Sequence, residues 1–157
     1  MSFKKYIKES NDVKYPNGIY ISVDLTSRSK LKVEEYIERY LPDLDKNSSL
    51  HCTLIYSAVA TDVVPVTEKY KCKGKYKHFS LFGPSGDTLV VEVDAPVLTN
   101  RNKKLVKDYG YRSDYGDYKS HVTFGYHYKD DIKELPPLDF DIEFEYEHIE
   151  VLNPNWK

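Results

Sequence analysis

Two stretches of this chain repeat one pattern in one order, and few folds accommodate that. Residues 49–57 read SLHCTLIYS and residues 119–127 read KSHVTFGYH, so His-x-Thr occurs twice inside an apolar run. The composition holds five histidines and seven threonines. Chance supplies roughly 0.2 such triplets in a chain of this make-up, and short motifs misfire readily. The second copy needs a structural cause. His51 and His121 lie 70 residues apart. At that shift Thr53 meets Thr123, Tyr56 meets Tyr126, Ile21 meets Val91, Val23 meets Val93 and Asp24 meets Asp94.

The segments before each triplet repeat as well. Residues 18–25, GIYISVDL, alternate Ile19, Ile21 and Val23 with Tyr20, Ser22 and Asp24, the period of a half-buried strand. Then Val33, Tyr36, Ile37, Tyr40 and Leu41 recur at helical spacing, and Pro42 stops the run. Residues 87–95 read as a strand and residues 100–110 as a helix ending at Gly110. Strand, helix and His-x-Thr strand therefore occur twice, which suggests duplicated units facing each other across a pseudo-two-fold axis. The predicted fold is α+β: one domain over residues 1–157, with lobe one about 18–57, lobe two about 87–127 and a closing strand about 138–152.

The rest of the chain is less telling. Lys69, Lys71, Lys73, Lys75 and Lys77 fall at period two and predict one face of a hairpin turning at Gly74. That face suits a charged edge strand resisting aggregation, or a ridge attracting phosphate. In the last strand Leu138, Phe140, Ile142, Phe144 and Tyr146 share a parity, while Ile149 and Val151 take the other. Such a phase change predicts a bulge and leaves His148 and Glu150 on a face turned polar. Residues 108–120, rich in Gly, Tyr and Asp, read as an exposed loop, a plain connector or a lid with Arg112 reaching a phosphate.

A composition of 40% hydrophobic and 31% charged residues suits a soluble domain with a packed core. The formal charge of −2 argues against a grip on long nucleic acid, which needs a basic excess. A small ligand fits better. No signal peptide, membrane-length apolar run, disulfide framework or metal-spaced cysteine pattern is read, so the cytoplasm is expected.

Residues i and i+2 of a strand point the same way, about 6.5–7 Å apart. His51 and Thr53 share one face and Cys52 turns to the core; His121, Thr123 and Val122 repeat the arrangement. Imidazoles exchange protons near neutral pH. Two of them across a phosphorus atom can serve as base and acid in an in-line displacement, with the threonine hydroxyls donating to phosphate oxygens. The scheme needs no metal.

On these triplets and their matched strands the chain resembles the 2H phosphoesterase superfamily, from Tyr20 to the final strand. Its compact length, lysine- and tyrosine-rich character and EVLNPNW tail bring it closest to one branch, the anti-CBASS proteins of T4-like phages. The resemblance implies a bilobal fold with antiparallel sheets around a central groove, and catalytic His51, Thr53, His121 and Thr123. It implies metal-independent cleavage of 3′-5′ bonds in cyclic di- and trinucleotide immune signals, such as 3′,3′-cGAMP and cyclic tri-AMP, in the host cell cytoplasm. No cofactor, metal, membrane or obligate protein partner is implied. It also places an adenine between Tyr20 and Trp156 with Glu150 at its amino edge. Two other readings stay open: a 2H enzyme acting on 2′,3′-cyclic phosphate or 2′-5′ linked RNA ends, and a non-catalytic cyclic-nucleotide sponge. Intact histidines in both triplets argue against the sponge.

Overall fold

The computed structural model describes residues 14–58, 62–63, 68–70, 72–109 and 117–152. These form strands β1 (Ile19–Leu25), β2 (Asp45–Lys46), β3 (His51–Ser57), β4 (Cys72–Phe82), β5 (Thr88–Asp94), β6 (His121–Tyr126) and β7 (Ile142–Val151). Helix α1 (Ser27–Tyr40) lies between β1 and β2, and α2 (Pro96–Tyr109) between β5 and β6. The fold is α+β, as expected.

Each element follows from its residues. Thr26 caps α1, its Oγ1 accepting from Ser29 N at 3.2 Å. Val33, Tyr36 and Ile37 are the buried stripe, and Tyr40 lies at the surface. Helix α2 starts at Pro96, four residues before the expected position. Proline suits a first helical turn, where its missing N–H loses nothing, and the Leu98 and Leu105 faces are fully buried. Gly110 lies outside the described residues.

All strand pairs are antiparallel, and the order is β2-β6-β3-β1-β7-β4-β5, with β6 also bonded to β5. That third pairing of β6 closes the run from β6 through β3, β1, β7 and β4 to β5 on itself. The chain thus folds around one seven-stranded sheet among the described residues, where two sheets were expected. Its pairings nevertheless repeat: β3 flanks β1 as β6 flanks β5, and β7 and β4 cover the far sides. The core beneath is Ile19, Ile21, Val23, Cys52, Leu54, Leu89, Val91, Val122 and Phe124, each at most 1% exposed.

Two expectations change. No hairpin turns at Gly74, because β4 runs unbroken from Cys72 to Phe82. Gly74 sits inside that strand, where a Cβ would come within 2.8 Å of Val93 Cγ2 and 3.1 Å of Phe144; close packing, not a turn, explains it. The turn that joins β4 to β5 lies instead at residues 83–86, with positive φ at Gly83 and Gly86. The lysines are a charged surface: Lys73, Lys75 and Lys77 are exposed, and Lys69 and Lys73 pair with Glu145 and Glu143 of β7. Lys71 lies outside the described residues. The repeat offset also changes. The triplets match at 70, but Asp24 opposes His51 while Glu92, not Asp94, opposes His121. The predicted bulge in the last strand is present: β7 gains a residue against β1 between Phe144 and Glu147.

Candidate active site

β3 and β6 touch through one pairing, Cys52 opposite Val122. Both of these side chains are fully buried, so their neighbours face the other way. Antiparallel register then sets His51 beside Thr123 and Thr53 beside His121, all four half-buried on one face. The histidines occupy the diagonal, about 7–8 Å apart in a regular ladder. The structure brings together all four residues of the two triplets.

The strands splay on either side of that pairing, and side chains bridge the gap. Asn47 Nδ2 donates to Ser49 O and Thr123 O, at 3.0 Å each. Tyr118 Oη donates to Thr53 O at 2.7 Å and lies 3.5 Å from Cys52 Sγ. Each half of the sheet thereby grips the threonine carbonyl of the other. Burial pushes the Cys52 thiol up to about 11, so it is a core residue and not a nucleophile.

Both triplet strands carry a bulge just after the threonine. The register slips by one between Ile55 and Thr53 against β1, and between Gly125 and Thr123 against β5. Two consecutive core residues follow each threonine, and the parity reverses. Tyr56 and Tyr126, 42% and 40% exposed, return to the face of the histidines. In β6 the second core residue is Gly125, where a Cβ would meet Asp45 O at 2.4 Å.

The two histidines sit in different surroundings. His121 Nδ1 lies 2.9 Å from Lys119 O. A carbonyl only accepts, so Nδ1 carries a proton and Nε2 is left with a lone pair. Burial lowers the His121 pKa; the Lys119 carbonyl and Glu92 oppose that, and His51 adds to it. The Phe82 ring packs against this imidazole with centroids 4.8 Å apart. His51 instead is engaged at Nε2. Tyr20 Oη lies 2.8 Å from that nitrogen and 2.6 Å from Thr53 Oγ1. Burial, the largest influence, raises the Tyr20 hydroxyl pKa, so it stays protonated and bridges the two groups.

Of the three base-binding candidates, the sheet brings two together: Tyr20 of β1 lies directly opposite Glu150 of β7. Trp156 lies outside the described residues, as does most of the loop with Arg112. Tyr20 and Glu150 line a cavity of about 300 Å³ with Asp24, His51 and His148. A larger one, about 850 Å³, opens beside Thr53 and His121 and is walled by Tyr56, Phe82, Pro84 and Tyr118. His51 thus borders the smaller hollow, and Thr53 and His121 border the larger.

The sequence reading did not single out Glu92, His78, Ser80 or Tyr118. Their one visible signal was a lone carboxylate within the run LVVEV. Among the described residues, no group of three or more His, Cys, Asp or Glu converges as a metal site would require, and no helix is long and apolar enough to cross a membrane.

The family model described as anti-CBASS protein Acb1 matches residues 17–157. That span holds both triplets, their bulged strands, Tyr20, Glu150 and Trp156. It takes in every strand of the sheet and omits only the first sixteen positions. With nearly the whole chain matched, and the duplicated site inside the match, the chain belongs to the anti-CBASS protein Acb1 family.

Proposed function

We propose that this anti-CBASS protein is a metal-independent 2H phosphodiesterase that opens 3′-5′ bonds of cyclic di- and trinucleotide immune signals inside the host cell. One observation carries the reading: the two His-x-Thr pairs share one face around the Cys52–Val122 pairing. The repeated pairing pattern of the sheet supports the bilobal architecture of that superfamily.

The chemistry follows from the hydrogen bonds. His121 presents a free Nε2 lone pair and is neutral near pH 7. It takes the proton of an adenosine 2′-hydroxyl, whose oxygen attacks the adjacent phosphorus. The bond from phosphorus to the 5′-oxygen of the next nucleotide breaks, and that oxygen takes a proton from His51. In its acid form His51 donates from Nε2 to Tyr20 Oη, which donates to Thr53 Oγ1. The leaving oxygen replaces the Tyr20 hydroxyl on that nitrogen. Thr53 and Thr123 donate to the non-bridging oxygens, where charge accumulates. The product is a linear chain with a 2′,3′-cyclic phosphate. With the roles of the histidines reversed, water then opens that ring to a terminal phosphate. One adenine lies against Tyr20 with its amino group toward Glu150.

The test is incubation with a panel of cyclic di- and trinucleotides and linear 2′,3′-cyclic phosphates, read by mass spectrometry. Linear products ending in a phosphate are expected from the rings. Cleavage of the linear substrates alone would favour an RNA-end enzyme. Tight binding without turnover would favour a sponge. A ring carrying 2′-deoxyadenosine should resist cleavage at that position, because the internal nucleophile is missing.

A further inference from the structure

The two histidines of the site are not equally supported. Asp24 opposes His51 across β1 and β3, and Glu92 opposes His121 across β5 and β6. Opposed residues of an antiparallel pair share a face, so each imidazole has a carboxylate beside it. Each carboxylate is held by a histidine from the strand on its far side: Asp24 Oδ2 by His148 Nε2 of β7, and Glu92 Oε2 by His78 Nε2 of β4 at 2.7 Å.

From there the two sides diverge. The Asp24 and His148 side chains are 46% and 55% exposed, and water screens such a pair. The Glu92 side chain is only 7% exposed, and Ser80 Oγ donates a further hydrogen bond to the same Oε2. Burial is the largest influence on Glu92 and pushes its carboxyl up, but the bonds from Ser80 and His78, with the charges of His78 and Lys119, outweigh it and hold the group ionised. A buried charge is costly unless paired. The neighbouring positions of β5 are Val90, Val91 and Val93, and an apolar residue would fill this one at less cost.

We propose that Glu92 is a positioning residue for His121: its buried carboxylate, fixed by Ser80 and His78, stabilises the imidazolium that His121 becomes on taking the proton of the attacking hydroxyl. The role rests on the two-histidine reading above. The groups acting on His121 are Glu92 from β5, His51 from β3 and the Lys119 carbonyl. His78 stands behind Glu92 on β4, and the Asp117 and Lys119 side chains share the larger cavity. Asp24, exposed and screened, is the less firmly held of the two carboxylates.

An NMR titration of the His121 imidazole reads this coupling without any substrate. In Glu92→Gln the midpoint should fall by about one pH unit, the effect of removing a nearby opposite charge. In Glu92→Asp, which keeps the charge, it should stay near the wild-type value. With a cyclic dinucleotide, Glu92→Gln should lose about tenfold in kcat for that unit of basicity, with little change in KM, and the acid limb of kcat/KM should move to lower pH. An unmoved midpoint in folded Glu92→Gln overturns the role. Should that variant fail to fold, Ser80→Ala replaces it. Stripped of one hydrogen bond, the carboxylate turns more of its charge on His121 and the midpoint should rise; no movement again overturns the role. Wild-type protein without turnover would overturn the phosphodiesterase reading and this role with it, whereas wild-type turnover with an unmoved midpoint overturns this role alone.

Discussion

At the scale of single residues, the two histidines differ in hydrogen-bond commitment. His51 is engaged at Nε2 by Tyr20 and His121 at Nδ1 by the Lys119 carbonyl, and each threonine sits directly opposite the histidine of the partner strand. His51→Ala and His121→Ala should each lose about 10²–10⁴-fold in kcat, while Thr53→Ala and Thr123→Ala, each short of one donor to phosphate, should lose about 10²–10³-fold. Steady-state rates with unfolding curves run in parallel check this; a histidine variant that keeps near wild-type rate rules out the shared centre. The pH profile follows from His121. Burial holds its pKa below the ordinary imidazole value, so the protonated fraction stays small until the pH falls below about 6.5. The acid limb of kcat/KM should therefore lie below that value, and a limb above it would assign the base elsewhere. Tyr20 has two separable parts. Its ring offers a stacking face and its hydroxyl bridges His51 and Thr53. Tyr20→Phe should keep substrate affinity, whereas Tyr20→Ala should weaken it by the ~1–3 kcal/mol of one stacked base, as read by calorimetry. Glu150→Gln should narrow the preference for adenine over guanine, because its amide can donate to the guanine carbonyl where a carboxylate cannot; rates on cyclic di-AMP and cyclic di-GMP measure it.

At the scale of elements, paired bulges do what a regular strand cannot. A flat strand would alternate His, Thr and a third groove residue at period two. The extra residue after Thr53 and Thr123 buries two residues in succession and returns Tyr56 and Tyr126 to the groove. The phase change in the last strand was readable from its apolar parity. The bulges in β3 and β6 were not, because Leu-Ile and Phe-Gly look like any apolar pair until both are seen to be buried. Splaying of β3 from β6 leaves carbonyls that other elements must satisfy. Tyr118 covers Thr53 O, and Tyr118→Phe would strand that carbonyl in a partly buried place. Stability should fall by about 1–3 kcal/mol in denaturant unfolding, with kcat reduced through the displaced Thr53. Unchanged stability would mean that β3 does not depend on this bridge.

At the scale of the whole molecule, one closed sheet holds two copies of a site half and turns them toward each other. The titratable groups at the centre are histidines and single carboxylates, and among the described residues no group of three or more His, Cys, Asp or Glu converges as a metal site would require. Turnover should accordingly survive prolonged treatment with EDTA. Loss of rate in the chelator, restored by a divalent ion, would overturn the two-histidine mechanism. On the lysine-rich face, Lys69 just before β4 and Lys73 within it pair with Glu145 and Glu143, while Lys75 and Lys77 stay exposed.

The strand and helix periods, the duplication and the paired His-x-Thr triplets were legible along the chain, because each depends on spacing within a few residues or on a fixed offset between copies. His51, Thr53, His121 and Thr123 could be named from spacing alone, and Tyr20 and Glu150 from a resemblance. What spacing could not supply is which strand lies beside which. The register that opposes Glu92 to His121, and so replaces the offset of 70 by one of 68 in the first strand of each copy, is set by bulges and by core packing against Val91 and Val122. The closure of six of the seven strands into a ring within one sheet, where two sheets were expected, depends on the third partner of β6. Gly74 looked like a turn because glycine permits turns; only the approach of Val93 and Phe144 shows that it is there for want of a side chain. Contacts of this kind join residues far apart in the chain, and their energies come from tertiary packing, which no local pattern encodes.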